Sequence, residues 1–147
     1  MPTRGFDYRF NVRLHDIDAA GVMFYGHLFR HAHDAYEGFM SALRFPLDGL
    51  VRAGCRLPLV HAEADFLMPM HHGEEILVEV GVEALGGARF TLTYGFRDRA
   101  GALRARARTV HVHLAEGGTG PAPLPEDLRA ALAAVPKAGP ALDAAKT

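Results

Sequence analysis

Apolar residues recur along this chain with two different periods. In residues 6–13 they alternate with polar residues, which predicts a half-buried β-strand. Between about residue 26 and residue 43 they recur every three or four positions, which is typical of an amphipathic helix with one buried face. Pro46 disfavours helical geometry at the residue before it, so we expect this helix to end there.

Strand patterns dominate the rest of the chain. Apolar-rich runs cover residues 59–68, 76–83, 89–96 and 103–114. Short turns that contain glycine join the last three runs, which favours antiparallel neighbours, because parallel strands need a long crossover. We also expect a short helical turn around residues 50–53 and a helix opened by Pro125. The order strand, long helix, four strands predicts an α+β fold with one helix packed on an antiparallel sheet.

Composition narrows the class of protein. The chain has 147 residues, of which 49% are hydrophobic and 22% charged, and this predicts one globular domain over residues 1–135, with a loose tail at 136–147. A formal net charge of −1 argues against a nucleic-acid-binding protein. Cys55 is the single cysteine, which fits a reducing cytoplasm. No apolar run approaches the roughly 20 residues of a membrane span, and we expect no signal peptide.

The segment between the first strand and the long helix carries the most distinctive chemistry. It reads HDIDAAGVMFYGH over residues 15–27. Free backbone N–H groups and the dipole at a helix start favour negative charge. A carboxylate such as Asp18 can act as a nucleophile or a general base, and an N–H group of Phe24 or Tyr25 can stabilise the oxyanion of an acyl transfer. The alternative is that Asp18 only caps the turn before the helix.

Residues 18–25 resemble the Asp-x-x-Gly-Val-x-(Phe/Tyr)-Tyr signature of the 4-hydroxybenzoyl-CoA thioesterase family of hotdog-fold enzymes. The resemblance implies a sheet wrapped around the long helix and hydrolysis of an acyl-CoA thioester. It implies that no metal or organic cofactor takes part, coenzyme A being part of the substrate. It assigns Asp18 as the catalytic carboxylate and the backbone N–H of Tyr25 as the group that polarises the carbonyl.

Other residues of this region are candidates for substrate binding. Gly21 gives the loop conformational freedom and lets a ligand approach, and Phe24 and His27 flank the start of the helix. Residues 33–37 resemble the His-Glu-Ala-Tyr-Glu segment of one branch of the family, the cyanobacterial and plant 1,4-dihydroxy-2-naphthoyl-CoA thioesterases. Another hotdog branch places its catalytic carboxylate on the helix, which makes Glu37 and Asp34 rivals of Asp18. The alternative is that these charged residues face solvent.

Basic residues and histidines offer weaker signals. Arg89 is the one basic residue that remains where the benzoyl-CoA branch has several, so it is a candidate for the coenzyme A phosphates. Other arginines are alternatives, although a solvated strand face explains the alternation of Arg104, Arg106 and Arg108 equally well. His27 and His31 have a spacing that can bind zinc on a helix, but they lack a full ligand set, and we expect no metal.

The resulting expectation is a hydrolase for an aromatic or a short- to medium-chain acyl-CoA, of the 4-hydroxybenzoyl or 1,4-dihydroxy-2-naphthoyl type. The rival is a protein of the same fold that binds acyl-CoA or another small ligand without turnover. Residues 59–68 form a long apolar edge strand, which predicts a homodimer or a dimer of dimers with Asp18 near residues 61–66 of the other subunit. The alternative is a monomer whose edge is covered by the helix from Pro125.

Overall fold

The computed structural model describes residues 5–136, so the predicted tail lies outside the described residues except for Pro136. The elements are β1 (Phe6–Asn11), α1 (His27–Ala42), α2 (Leu47–Arg52), β2 (Leu59–Phe66), β3 (Glu75–Leu85), β4 (Arg89–Arg97), β5 (Leu103–Val112) and α3 (Glu126–Ala133). Local periodicity predicted all of them with bounds within about three residues. A short 3-10 turn at Leu14–Asp16 was not predicted.

The five strands form one sheet in the order β1-β3-β4-β5-β2, and every neighbouring pair is antiparallel. The turn between β4 and β5 is closed by the Ala102 carbonyl, which accepts a hydrogen bond from the Asp98 N–H. Gly101 in this turn has φ +90°, a conformation that favours glycine. The meander predicted for the last strands is therefore confirmed, and the chain has an α+β fold with β1 and β2 at the two edges.

Helix α1 packs against one face of this sheet. Its apolar residues at helical spacing are buried together: Leu28, Ala32, Ala35, Tyr36, Phe39 and Met40. Alternate residues of the central strands meet them, among them Val78, Val80, Phe90, Leu92, Tyr94 and Phe96. Full burial of a large apolar side chain contributes roughly 1.5–3 kcal/mol. This layer therefore holds the start of α1 at a fixed place beside the sheet.

The outer face of β5 is less solvated than its alternating arginines predict. Only 12% of the Arg104 and Arg106 side chains and 30% of the Arg108 side chain are exposed. Their carboxylate partners are Glu74 and Asp98 for Arg104, Asp65 for Arg106, and Glu63 and Glu83 for Arg108. Acidic residues on neighbouring strands and turns come within reach of each guanidinium, and the aliphatic stems lie along the sheet. The expectation of a solvated face is wrong for this reason.

Within residues 5–136, no other element covers the outer side of edge strand β2. Seven of its eight residues are exposed, with Val60 at 54% and Phe66 at 50%. Helix α3 does not cover it: Arg129 of α3 donates to the carbonyl oxygens of Gly86 and Gly87, at the turn between β3 and β4. The alternative in which the last helix hides this edge is therefore wrong.

Candidate active site

Asp18 lies at the tip of a tight loop between β1 and α1. Ile17 and Met23 form an antiparallel bridge that closes this loop, and the Asp18 N–H donates to the Val22 carbonyl at 2.9 Å. The Met23 N–H donates to the Met70 carbonyl at 2.8 Å, which ties the loop to the segment before β3. Gly21 adopts φ +82°, and a Cβ atom built there meets nothing within 4 Å. The glycine therefore serves the turn and leaves open space beside Asp18.

The Asp18 carboxylate is exposed and only partly engaged. Its Oδ1 accepts a hydrogen bond from the Ala20 N–H at 2.8 Å, so the residue does stabilise the turn, as its alternative role predicts. Within residues 5–136, no group donates a hydrogen bond to Oδ2. One oxygen thus orients the side chain, and the other is available to a substrate or to water.

The start of α1 supplies a free backbone donor. The helix begins at His27, with Gly26 at its N-cap and no side-chain cap. The Phe24 N–H donates to the Asp16 carbonyl at 2.8 Å, so of the two donors that the sequence offered this one is already engaged. The Tyr25 N–H has no acceptor among the described residues. The N–H groups of Tyr25 and of the N-cap residue Gly26 are therefore both without an acceptor within residues 5–136, just before α1, and a helix start favours anions there.

A second carboxylate, that of Asp16, lies beneath the loop and stabilises it. The sequence analysis did not single out this residue. Asp16 is fully buried; its Oδ2 accepts the Arg13 N–H at 2.8 Å, and its Oδ1 accepts bonds from Arg30 and from His31 Nε2, the latter at 3.0 Å. The His31 ring stacks on Phe10, with centroids 3.7 Å apart. Asp16 thereby joins the end of β1, the loop and the first turn of α1. The available signal was a second acid two residues before Asp18.

Burial and pairing act in opposite directions on Asp16. Burial alone raises the pKa of the Asp16 carboxyl, but hydrogen bonds from the Arg13 N–H and His31, together with the charges of His31 and Arg30, outweigh it, and the net shift is downward. Burial lowers the pKa of His31 against the opposing effect of Asp16. Asp16 is thus ionised at neutral pH, and it is bound to a guanidinium and to a largely neutral imidazole.

The remaining predicted residues do not all gather around Asp18. His27 is half-buried and contacts the Phe24 ring edge to face, with centroids 5.6 Å apart. Glu37 lies on the solvent side of α1, where 61% of its side chain is exposed, and its carboxylate is 3.7 Å from His33 Nε2. Arg89 is exposed at the start of β4. Strand β3 is eleven residues long; it begins on the side of the Asp18 loop and ends at the turn before Arg89. Within one subunit, Arg89 and Asp18 therefore lie at opposite ends of the sheet.

Metal ligation finds no support in the side-chain arrangement of this region. Within residues 5–136, no three or more His, Cys, Asp or Glu side chains are grouped so that they can hold an ion. His31, one of the two helical histidines with zinc-like spacing, is engaged with Asp16. That the reaction needs no metal or cofactor stays a prediction.

Comparison with known proteins identifies the family. The family model described as the thioesterase-like superfamily matches residues 12–132. The 1,4-dihydroxy-2-naphthoyl-CoA hydrolase of Synechocystis sp. is 36% identical over 129 residues, which are 86% of this chain and 94% of that protein. The hydrolase of the same name from Synechococcus elongatus is 35% identical over 127 residues, 84% of this chain and 93% of that protein.

Solved structures agree with this assignment. The crystal structure of the 1,4-dihydroxy-2-naphthoyl-CoA thioesterase from Synechocystis matches with a TM-score of 0.83 and 34% identity, over 88% of this chain and 96% of that one. A gentisyl-coenzyme A thioesterase matches with a TM-score of 0.78 and 26% identity, over 87% and 99%. The chain belongs to the thioesterase-like superfamily and has its hotdog fold: it is an acyl-CoA thioesterase. Across residues 5–136, none of the helices has the length and apolar character that a membrane crossing requires.

Proposed function

We propose that this chain hydrolyses the thioester of a hydroxylated aromatic acyl-CoA and that Asp18 performs the chemistry. Two groups in the loop before α1 carry the proposal: within residues 5–136, Asp18 Oδ2 accepts no hydrogen bond and the Tyr25 N–H has no acceptor. The Asp16 network supports it, because a preorganised donor needs a rigid backbone to be effective.

The reaction requires three events at the thioester carbonyl. The Tyr25 N–H donates a hydrogen bond to the carbonyl oxygen as it becomes an oxyanion; loss of one such donor costs on the order of 2.7–4 kcal/mol. The Asp18 carboxylate either attacks the carbonyl carbon, so that the C–S bond breaks and an anhydride is left for water to hydrolyse, or it takes a proton from the water that attacks. In both routes coenzyme A leaves as a thiolate and takes up a proton, and the free acid is released.

The class of acyl group is inferred from the relatives. Those named above act on 1,4-dihydroxy-2-naphthoyl-CoA or gentisyl-coenzyme A, and both names describe hydroxylated aromatic acids. Residues 33–37 of this chain resemble the corresponding segment of the first group. We therefore propose a substrate with a 1,4-dihydroxy-2-naphthoyl or hydroxybenzoyl group in preference to one with an aliphatic chain.

Three further expectations stay predictions. They are catalysis without a cofactor, binding of the coenzyme A phosphates by Arg89, and a cytoplasmic location.

The working unit is proposed to be a two-fold dimer, or a dimer of dimers. The supporting observation is the uncovered edge of β2, where Leu59, Val60 and Phe66 are each at least half exposed. Unpaired apolar edge strands are normally covered or paired, and isologous pairing is the commonest closed symmetry. Light scattering at micromolar concentration tests this proposal. A stable, active species of monomer mass would contradict it.

The decisive experiment measures thiol release from a panel of aromatic and aliphatic acyl-CoA esters. Wild type is expected to hydrolyse hydroxylated aromatic esters, and Asp18→Asn is expected to retain its melting temperature and lose turnover. Glu37→Gln is the matched control on the helix. Binding of acyl-CoA without release of thiol by wild type would favour the non-catalytic binding protein. Near-normal turnover by Asp18→Asn would remove Asp18 from the mechanism.

A further inference from the structure

The loop that carries Asp18 is paired on one side with segment 69–74, which lies between β2 and β3. Val22 of the loop forms an antiparallel bridge with His71. The hydrogen bond donated by the Met23 N–H, described above, ends on the same segment. Because two successive residues of the loop pair with this segment, a displacement of the segment displaces the loop.

Segment 69–74 continues past the end of β2 and lies outside the five strands. Up to residue 68 the chain is held by backbone bonds, since the N–H groups of Leu67 and Met68 donate to the Arg104 carbonyl at 2.9 and 3.0 Å. Pro69 has no N–H group and cannot continue this pairing. From this point on, side-chain contacts take part in fixing the chain.

The Arg104 guanidinium binds both ends of segment 69–74. Its Nη1 donates to the Pro69 carbonyl, and its Nη1 and Nη2 donate to the two oxygens of the Glu74 carboxylate, at 3.1 and 2.7 Å. Its Nε donates to Asp98, in the turn between β4 and β5, at 2.8 Å. One side chain, only 12% exposed, thus joins the first residue of the segment, its last residue and a turn of the sheet.

The Glu74 carboxylate extends these contacts to the middle of the segment. Its Oε1 also accepts the His71 N–H at 2.7 Å. The hydrogen bond from Arg104, helped by that from the His71 N–H, lowers the pKa of the Glu74 carboxyl against the effect of burial, so the group is ionised at neutral pH. His71 is the residue that pairs with Val22. The contacts therefore lead from Arg104 through Glu74 to the Asp18 loop.

We propose that Arg104 is a positioning residue for hydrolysis of the thioester: together with Glu74 it holds segment 69–74 in place. The segment in turn holds the loop, and with it the Asp18 carboxylate and the Tyr25 N–H. The inference rests on the proposed function, in which these two groups meet the thioester. A displacement of about 1 Å caused far from the chemistry can lower a rate by about 100-fold, so such a support matters to the reaction.

The alternative is that Arg104 only stabilises the sheet. Arg97 provides the comparison, because it lies beside the same turn between β4 and β5 and 24% of its side chain is exposed. Its guanidinium donates to Glu79 at 2.6 Å and to the Gly101 carbonyl at 3.0 Å, neither of which belongs to segment 69–74. Loss of Arg97 therefore removes an ion pair of the sheet and leaves the support of the loop intact.

The first test compares Arg104→Gln with Arg97→Gln, using the acyl-CoA that wild type hydrolyses fastest. Arg104→Gln should lower kcat by about 10- to 100-fold and leave KM within about threefold, because the reacting groups are displaced and the groups that bind the rest of the substrate are not. Arg104→Lys keeps the charge without the planar fork of donors and should recover only part of kcat. Wild-type kcat in Arg104→Gln, or an equal loss in Arg97→Gln, would overturn the proposal.

A second variant tests whether Arg104 acts through Glu74. Glu74→Gln keeps the size of the side chain but removes the charge that Arg104 binds. It should lower kcat by a similar factor, and the double variant should fall no further than either single one, since residues of one network are not additive. Losses that multiply in the double variant, or wild-type kcat in Glu74→Gln, would overturn the proposal. Should Arg104→Gln not fold, Glu74→Gln is compared with Arg97→Gln under the same expectations.

Hydrogen exchange separates this inference from the proposed function, because it reports on the loop without any substrate. Mass spectrometry follows exchange over residues 17–24, where backbone hydrogen bonds hold the loop. Exchange there should be about tenfold faster or more in Arg104→Gln and unchanged in Arg97→Gln, since local opening depends on the contacts of that region. Exchange over residues 90–96 of β4 should be unchanged in both variants.

The two proposals fail in different ways. Equal exchange over the loop in Arg104→Gln and wild type would overturn the inference, whether or not wild type hydrolyses a thioester. If wild type releases no thiol from any acyl-CoA, the hydrolase proposal fails, and faster exchange in Arg104→Gln then supports the positioning of the loop by itself. Faster exchange with unchanged kcat would overturn the role of Arg104 in the reaction and leave the hydrolase proposal standing.

Discussion

Asp16 and Asp18 are separated by one residue, yet their surroundings are opposite. Asp16 is fully buried beneath the loop, where it accepts hydrogen bonds from a backbone N–H, a guanidinium and an imidazole. Asp18 is exposed at the tip, and its carboxylate accepts one hydrogen bond from residues 5–136, from the Ala20 N–H. The first carboxylate has no capacity left for a substrate, whereas the second has a free oxygen.

The contrast shows that two carboxylates in one short segment can have separate roles, one in stabilising the fold and one in catalysis. The fully satisfied carboxylate holds the backbone on both sides of the loop, since the Asp16 carbonyl also accepts the Phe24 N–H. The carboxylate of Asp18 lies in the same loop as the Tyr25 N–H, which has no acceptor within residues 5–136, and it does not itself join separate elements of the fold. Substitution at the two positions should therefore have different consequences, which the following experiments measure.

The largest effect is expected for Asp18→Asn. The amide keeps the size and the bond from Ala20, but it is a poor nucleophile and a poor base, so kcat should fall by about 10²–10⁴-fold. The free energy of unfolding should change by less than about 0.5 kcal/mol, as for other exposed sites. Thiol release and urea denaturation measure the two quantities, with Asp34→Asn as the matched control. A large decrease in the free energy of unfolding of Asp18→Asn would show that Asp18, like Asp16, stabilises the fold, and would contradict the separation of their roles.

For Asp16→Asn we expect the larger effect on the free energy of unfolding and the smaller effect on activity. It removes the charge that pairs with Arg30 and His31, and charge-assisted hydrogen bonds contribute about 1.5–3 kcal/mol each. We expect a loss of about 2–3 kcal/mol in the free energy of unfolding, measured in urea, because Arg30 can turn toward solvent. Activity of the folded fraction should also fall, since the Tyr25 N–H is less firmly positioned. Unchanged stability would mean that Asp16 is not the anchor of the loop.

Acid should destabilise the fold through its buried histidines before it affects the carboxylates. The pKa of His111 is lowered from 6.5 to about 4 by burial, and that of His31 is lowered for the same reason. In the unfolded chain His111 is protonated below about pH 6.5, whereas in the folded chain it stays neutral down to about pH 4. The free energy of unfolding therefore falls as pH decreases over this range. The His111 share is about 2–3 kcal/mol at pH 4.

Urea denaturation between pH 7 and pH 4 measures this dependence. His111→Phe should flatten the curve, and His72→Gln, which changes an exposed histidine, should leave it unaltered. A further loss is expected as pH falls below about 4, because the pKa of Asp16 is lower in the folded state than in the unfolded chain. A curve for His111→Phe identical to that of wild type would show that burial does not keep this ring neutral.

A smaller effect is expected for Gly21→Ala. The backbone at this position has φ +82°, which costs an L-residue roughly 1 kcal/mol, although open space surrounds the added methyl group. The free energy of unfolding should fall by about that amount, and kcat/KM should fall if the methyl group meets the substrate. Gly87→Ala, at another position with open space but without positive φ, is the control. A loss of activity without loss of stability would indicate that Gly21 acts through ligand approach alone.

The smallest effect is expected for Glu37→Gln. Its side chain is 61% exposed, and within residues 5–136 it forms an ion pair only with His33, at 3.7 Å. Exposed pairs of this kind contribute at most about 0.5 kcal/mol, so stability and kcat should both stay close to wild type. A loss of turnover comparable to that of Asp18→Asn would move the chemistry from the loop to the helix.

Local pattern was enough to predict most of the fold. The alternation in β1, the helical spacing in α1 and the glycine turns between the last strands reflect interactions between residues close in sequence, and these predictions are confirmed. The motif of residues 18–25 likewise pointed to a thioesterase, and the family comparison bears this out. Asp18 and Tyr25 as the reacting groups stay predictions that the geometry supports.

Only the tertiary structure decided the features that depend on distant residues. Sequence spacing does not show that Asp16 is buried by α1, because that follows from how the helix packs on β1. The arginines of β5 find their carboxylates through strand register, which sequence alternation leaves open. His111 is likewise one histidine among nine until the sheet brings it against Tyr36 and beside Thr109. Periodicity reports which side of an element is buried, whereas the partner on that side is set by contacts between elements far apart in the chain.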